Sequence, residues 1–304
     1  SSSNVMIQDA NEFVDDPNLL NTAGNAGVAV IPMIQTSGDS VGPVLAMLDG
    51  DYRTHAEQLV DLLRDHPRYA GIEIDYEQIP GSYKDKFNAF VEDLAVELNS
   101  RYPTKSLVVT VPMKWGDWDD GYDYQTLARW SDYLKIMAYD DQAASPQSTP
   151  QHHAMLSRME KSIQYARNVS HVPVDKLWVG LPTYGYRFSQ ISGSGEWYSV
   201  ANSAENYQDA MTDASQRGAS IRRWTQTTAT GDVPGNIPYF TYIDGNTLYW
   251  QFFEDAISAR EKMLAADALK VTGISFWSLG KEDPKLWTQV RSEERRVGKE
   301  CRSR

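Results

Sequence analysis

The sequence is short of cysteine, of positive charge and of long apolar runs. Its one cysteine is Cys301, so no disulfide can close within the chain and thiolate zinc sites are excluded. Lys and Arg number 29 against 41 Asp and Glu, a net charge of -12, which argues against nucleic acid and anionic membrane surfaces as partners. No run is long and apolar enough to cross a bilayer, so membrane insertion is not expected. The opening residues, SSSNVMIQD, have neither a basic start nor an apolar stretch, and no secretory leader is visible in the chain. The end is also poor in apolar residues: SEERRVGKECRSR is charge-dense and follows the natural close of a helix, DPKLWTQV. Residues 292–304 resemble translated vector sequence and are expected to be a disordered, non-native tail.

What is present suits a large folded domain. The chain has 304 residues, 41% of them hydrophobic, enough for one large or two small domains. Its 9 Trp and 17 Tyr offer flat faces that suit sugar rings, although such residues also fill cores. Seven short apolar runs read as strands: NVMIQ, VAVIPMI, YAGIEIDY, SLVVTVPM, YLKIMAY, KLWVGLPTY and TGISFW. Helical patterns lie between them. Over residues 83–101, Tyr83, Phe87, Phe90, Val91, Leu94 and Leu98 mark one stripe. THAEQLVDLLRDH is a second helix with Thr54 as candidate N-cap, and HHAMLSRMEKSIQYARNV a third. Alternation of this kind predicts repeated βαβ units and a parallel sheet.

No glycine-rich phosphate loop follows the early strands, which favours a barrel over an open doubly wound sheet. The expected fold is therefore α/β, a (β/α)8 TIM barrel that lacks its first strand, which would precede NVMIQ. About ninety residues separate GLPTYGYRF from TGISFW, and within them IPYFTYIDGNTLYWQFF reads as a hairpin around Asp244-Gly245. The expected division is a barrel at 1–188 and 246–291 with a small α+β insertion at 189–245.

The run YAGIEIDYEQIP carries acids at alternate positions. A strand has period two, so Glu73, Asp75 and Glu77 share one face while Ile72, Ile74 and Tyr76 share the other. In a barrel the apolar set packs outward on helices and the acids point inward, with Glu77 last, at the rim where barrel active sites lie. Crowded carboxylates disturb one another's protonation, and such clustering is tolerated mainly at functional sites. A solvated face on an edge strand is the alternative.

GIEIDYE resembles the signature strand of glycoside hydrolase family 18. KIMAYD is similar to the family's sixth-strand Met-x-Tyr-Asp, GLPTYGYRF to its seventh-strand Tyr-Gly segment, and GISFWSLGKEDPKLW to its eighth strand. FFEDAISAREKM is similar to the bacterial branch of spore-cortex and peptidoglycan N-acetylglucosaminidases. Glu73 stands where chitinases usually have Asp and the cortex-lytic branch often Asn. VAVIPMIQTSGDS lacks the Ser-x-Gly-Gly of many chitinases.

The resemblance implies a retaining, secreted or cell-envelope glycosidase acting on β-linked N-acetylglucosaminyl polymers, peptidoglycan or chitin. It implies a substrate-assisted mechanism in which the substrate's 2-acetamido oxygen attacks the anomeric carbon. Glu77 is then the general acid, and Asp75 orients the acetamido group and raises the pKa of Glu77. Glu73 is either a proton-sharing partner of Asp75 or structural. Tyr139 presents its hydroxyl to the acetamido carbonyl, with Asp140 following at the rim. Met137 shares the inward face or simply fills the core. Trp277 forms an apolar floor under the sugar, with Tyr184 a further candidate. Trp115 and Trp118, in KWGDWDDGYDY, either stack on neighbouring sugars or pack on the insertion. Adjacent side chains diverge on a helix, so His152 and His153 are not expected to hold a metal. No metal and no cofactor is expected, and the chain is expected to be a monomer. Two alternatives share the resemblance: a silent lectin-like barrel, against which the presence of Glu77 counts, and an endo-β-N-acetylglucosaminidase acting on N-glycans.

Overall fold

A computed structural model describes residues 17–36, 41–141, 150–191, 195–200 and 205–290. The barrel strands are β1 (Met33–Gln35), β2 (Gly71–Asp75), β3 (Ser106–Pro112), β4 (Tyr133–Met137), β5 (Leu177–Pro182) and β6 (Gly273–Trp277). They form a six-stranded sheet in that order. β1 runs parallel to β2 with Gln35 opposite Asp75, and β2 parallel to β3 with Glu73 opposite Val108. At least one helix separates each strand from the next: Tyr52–Asp65, Lys84–Arg101, Tyr124–Trp130, Leu156–Asn168 and, before β6, Ala256–Ala268. Sequential order with helical crossovers is the organisation of a (β/α)8 barrel. The run NVMIQ, any strand before it, and the tail from residue 291 lie outside the described residues. Among those residues, no helix is long and apolar enough to cross a membrane.

The chain divides into two compact units, one of residues 1–136 and 165–178, the other of 137–164 and 179–304. In the first, the alternation of β2 works as the pattern requires. Ile72 and Ile74 are fully buried, and the Tyr76 ring stacks on Phe90 at 5.8 Å. Phe90 belongs to the stripe of Lys84–Arg101, whose Phe87, Phe90, Val91, Leu94 and Leu98 are all buried. The helix at Tyr52–Asp65 begins two residues before Thr54. Its N-cap is Asp51, which accepts from the Thr54 N–H and from the Thr54 hydroxyl. The Asp51 carboxylate, ahead of the first turn, accepts from the amide, and Thr54 serves as its donor.

The second unit holds a five-stranded antiparallel sheet built from Arg187–Ile191, Tyr198–Ser199, Arg222–Trp224, Ile237–Asp244 and Thr247–Phe252. The expected hairpin is present. Asp244 pairs with Thr247, so the turn is Gly245-Asn246, and Gly245 opens it at φ 58°, where a side chain would be strained. Arg187–Ile191 and Thr247–Phe252 both pair inside this sheet, so it spans the expected boundaries at 188/189 and 245/246. The helix Tyr207–Gln216 covers one face of the sheet, with Ala210 and Ala214 packed on Phe240 and Phe253.

One glycine matters to the placement of the acids. Gly71 opens β2 directly opposite Ser106, and a Cβ there would lie 2.0 Å from the Ser106 carbonyl oxygen. That neighbour is backbone in a sheet ladder and cannot swing away. Gly71→Ala is therefore expected to cost about 2–3 kcal/mol. Urea unfolding should show a clearly lower midpoint, and an unchanged midpoint would mean that β3 gives way freely.

Candidate active site

Along β2 the acids meet three different environments. Glu73 is enclosed: its Oε1 accepts from the Thr110 hydroxyl at 2.7 Å and forms a close ion pair with the Lys135 ammonium. Thr110 and Lys135 are themselves buried. Asp75 is buried at 7% exposure, and its Oδ1 has no hydrogen-bond partner among the described residues. Glu77 lies beyond the end of the strand and is exposed. Glu73 was expected either to share a proton with Asp75 or to be structural, and in the structure the ammonium of Lys135 draws it into a charge-compensated pair.

These surroundings act on Asp75. Burial pushes its carboxyl up to about 7, with the negative charges of Glu77 and Glu73 adding to the effect and Lys135 opposing it. A buried carboxyl that is partly neutral near pH 7 and has a free oxygen is suited to bind a ligand N–H.

The loop that carries Glu77 is fixed by its backbone. The Glu77 N–H donates to the Thr36 hydroxyl at 2.8 Å, and Gln78 adopts φ 59°. The Tyr122 hydroxyl donates to the Tyr76 carbonyl at 2.7 Å and accepts from the Ile79 N–H at 3.2 Å. Tyr122 comes from the loop after β3, where buried Lys114 bonds the Asp120 carboxylate and the Tyr122 carbonyl. The same loop exposes Trp115 and Trp118, whose rings meet edge to face at 5.1 Å.

The second unit carries the remaining expected residues. Met137 is buried and Tyr139 half-buried, its ring edge-on to Tyr184 at 6.3 Å. Asp140 adopts φ 57° and keeps 43% of its side chain exposed. Tyr184 donates to its Oδ2 at 2.6 Å, Tyr186 to its Oδ1 at 2.9 Å, and His153 Nδ1 lies 2.8 Å from Oδ1. Burial alone would raise the Asp140 carboxyl, but these donors outweigh it and hold the group below the usual range. Trp277, 40% exposed, ends β6; its carbonyl accepts from the Thr183 N–H, beside Tyr184, and its peptide bond to Ser278 is cis. His152 and His153 precede the helix that they were expected to begin, and both are buried. His152 accepts from the Ala154 N–H and sits 3.3 Å from Glu254, whereas His153 serves Asp140.

Sequence reasoning named neither Lys135, Thr110, Tyr122, His153 nor Tyr186 for a role here. Lys135 left a legible trace: it stands two residues before Met137, on the inward face of an apolar strand. The others are brought in by long-range contacts that no local pattern announces.

The raised Asp75 carboxyl has a measurable cost. A carboxyl lifted from 3.8 to about 7 on folding stabilises the fold fully below its unfolded value, and that contribution is lost as pH rises through about 7. Asp75→Asn removes the titration. Its stability relative to the parent should rise between pH 4 and pH 8, by up to about 4 kcal/mol. Denaturant unfolding at several pH values reads this directly, and a pH-independent difference would contradict the placement of Asp75.

Residues 26–282 match the family described as glycosyl hydrolases family 18. The uncharacterized glycosylase YvbX of Bacillus subtilis is 24% identical over 77% of this chain and 64% of its own length. The cortical fragment-lytic enzyme of the same organism is 25% identical over 83% of this chain and 56% of its own. The chain thus spans about half to two thirds of the length of the curated relatives it matches. Two solved structures share the fold. They are a chitinase from Chromobacterium violaceum (TM-score 0.74, 22% identity, 90% of this chain and 82% of that one) and the spore cortex-lytic enzyme SleL of Bacillus megaterium (TM-score 0.73, 21% identity, 90% and 61%). The matched residues include the acids of β2 and its following loop, Tyr139, Asp140, Tyr184 and Trp277, and the chain belongs to glycosyl hydrolases family 18.

Proposed function

We propose that this chain hydrolyses β-linked N-acetylglucosaminyl polymers, with retention, by a substrate-assisted route. The observation that carries this reading is Asp75: a buried carboxyl with an unpartnered oxygen, two residues before an exposed Glu77. The names of the relatives, a cortical fragment-lytic enzyme and a chitinase, support polymers of the peptidoglycan or chitin type.

In this reading Glu77 donates its proton to the glycosidic oxygen as the bond to the anomeric carbon breaks. The acetamido oxygen of the same sugar forms the new bond at that carbon and closes an oxazolinium ring. Asp75 accepts the acetamido N–H on its free oxygen. Its negative charge then offsets the positive charge that develops on the ring, an effect strengthened by burial. Tyr139 donates to the acetamido oxygen, Trp277 lies under the sugar, and Asp140 and Tyr184 meet its hydroxyls. Met137 and the pair Trp115 and Trp118 line neighbouring positions. Water then attacks the anomeric carbon from the face the leaving group left, giving its proton to Glu77 as the bond to the acetamido oxygen breaks, and configuration is retained. Glu73 acts at one remove, through the charge it shares with Lys135.

Glu77→Gln should preserve folding and sugar binding while turnover falls by about 10²–10⁴-fold, because the amide delivers no proton. Mass spectrometry of products from chitin oligomers and from peptidoglycan measures the loss, and retention of a tenth of parental turnover would remove Glu77 from this role. The same assay tests the nucleophile. A substrate with a free amine at the reacting sugar should not be cleaved, and a thiazoline mimic of the ring should inhibit competitively. A covalent adduct between a 2-fluoro glycoside and a β2 carboxylate would overturn the substrate-assisted route.

A further inference from the structure

His153 has no part in the reaction just described, yet it is almost fully buried and all its polar contacts lead to the Asp140 region. Its Nε2 lies 3.1 Å from the Tyr184 carbonyl oxygen. A carbonyl only accepts, so Nε2 carries a hydrogen. That leaves Nδ1 to decide between two neighbours. One is the Asp140 backbone N–H, which donates to Nδ1 at 3.1 Å; the other is the Asp140 Oδ1, at 2.8 Å. A bare Nδ1 satisfies the N–H and repels the carboxylate. A protonated Nδ1 satisfies the carboxylate and repels the N–H. The two contacts exclude each other, and one proton selects between them.

We propose that His153 is a positioning residue for Asp140: protonated, it grips the carboxylate; deprotonated, it holds the backbone N–H and releases Oδ1 toward a sugar hydroxyl. The proposal rests on the reading that Asp140 meets substrate. In the protonated state Oδ1 is bonded by both His153 and Tyr186 while Oδ2 is bonded by Tyr184, so the carboxylate has little capacity left. In the deprotonated state Oδ1 keeps Tyr186 alone and can take a further donor. The exposed part of Asp140 gives a ligand access to it.

Other groups around His153 are fixed in ways that leave Nδ1 as the deciding atom. Its ring packs at 4.8 Å against both Tyr184 and Tyr186. Behind it His152 lies at 4.6 Å, with burial lowering its affinity for a proton and its Nδ1 already occupied by the Ala154 N–H. Glu254, beyond His152, is bonded by Ser258 and paired with Lys262. Asp141, next to Asp140, is bound by Arg158 at 2.8 Å. These are the charged and titratable groups facing His153 among the described residues.

The experiment is nitrogen-15 NMR on the full chain with labelled histidine and aspartate, as a pH series over which the chain stays folded. The expected result is an Nε2–H tautomer at high pH, protonation of Nδ1 on acidification, and an Asp140 amide proton that shifts with the same midpoint. An Nδ1–H tautomer at high pH, or an Asp140 amide that ignores the His153 midpoint, overturns the proposal. This readout needs no catalysis, so it stands whether or not the chain is a glycosidase. His153→Asn adds a functional readout, since the Asn oxygen mimics a permanently bare Nδ1. KM of the parent should fall roughly three- to tenfold as pH rises, the worth of one freed hydrogen bond, whereas KM of the variant should stay at the high-pH value. Asp75 titrates in both proteins and cannot create a difference between them. Identical pH dependence of KM in parent and variant would overturn the proposal. Absence of turnover in both would instead count against the glycosidase reading, and the NMR result would decide the rest.

Discussion

A carboxylate inside a sheet of apolar strands needs a counter-charge, and Lys135 provides it for β2. Its ammonium is buried against Glu73 and within electrostatic reach of Asp75. A buried pair of this kind adds little stability by itself, because desolvation of both ions consumes most of the attraction. Its effect is positional. With Glu73 held by Lys135 and Thr110, Asp75 is left as a buried acid with an oxygen free for a ligand. Removing Lys135 would leave two carboxylates to repel each other in a low dielectric. The longer side chain of Glu73 lets the acid at this position reach its counter-ion on β4.

The second unit solves the opposite problem at Asp140. There a partly exposed carboxylate is supplied with donors, and its carboxyl is held below the usual range. One acid has an oxygen without a partner and is pushed toward neutrality, and the other is well supplied and kept charged. Asp75 follows Ile74 inside β2 and Asp140 follows Tyr139 beyond the end of β4, and neither local sequence states how many donors the acid will meet. The difference comes from burial and from donors contributed by other elements.

That contrast shows what was readable in the sequence and what was not. The alternation in GIEIDYE determined which side chains of β2 pack on helices, because period two is a local property. The stripe of Lys84–Arg101 and the hairpin at Gly245 were legible for the same reason. The Thr54 cap failed by a small margin, since Asp51 and Thr54 both bear capping side chains and only the amide geometry decides. The hairpin strand Thr247–Phe252 pairs with Arg187–Ile191, a long-range match that places the limits of the antiparallel sheet beyond what turn signals mark. The surroundings of the individual acids were not legible. The pull of Lys135 on Glu73 and of His153 on Asp140 depends on chain crossings that no spacing rule describes.

The loop after β3 carries a consequence for protein engineering. Its base is fastened by Lys114 through Asp120 and Tyr122, and the Tyr122 hydroxyl fastens the segment that carries Glu77. Between those fastenings Trp115, Asp117 and Trp118 stand in solvent. The stretch is thus a cassette with fixed ends. A randomised library confined to the exposed positions changes the surface of the loop while the fastenings of the Glu77 segment stay in place.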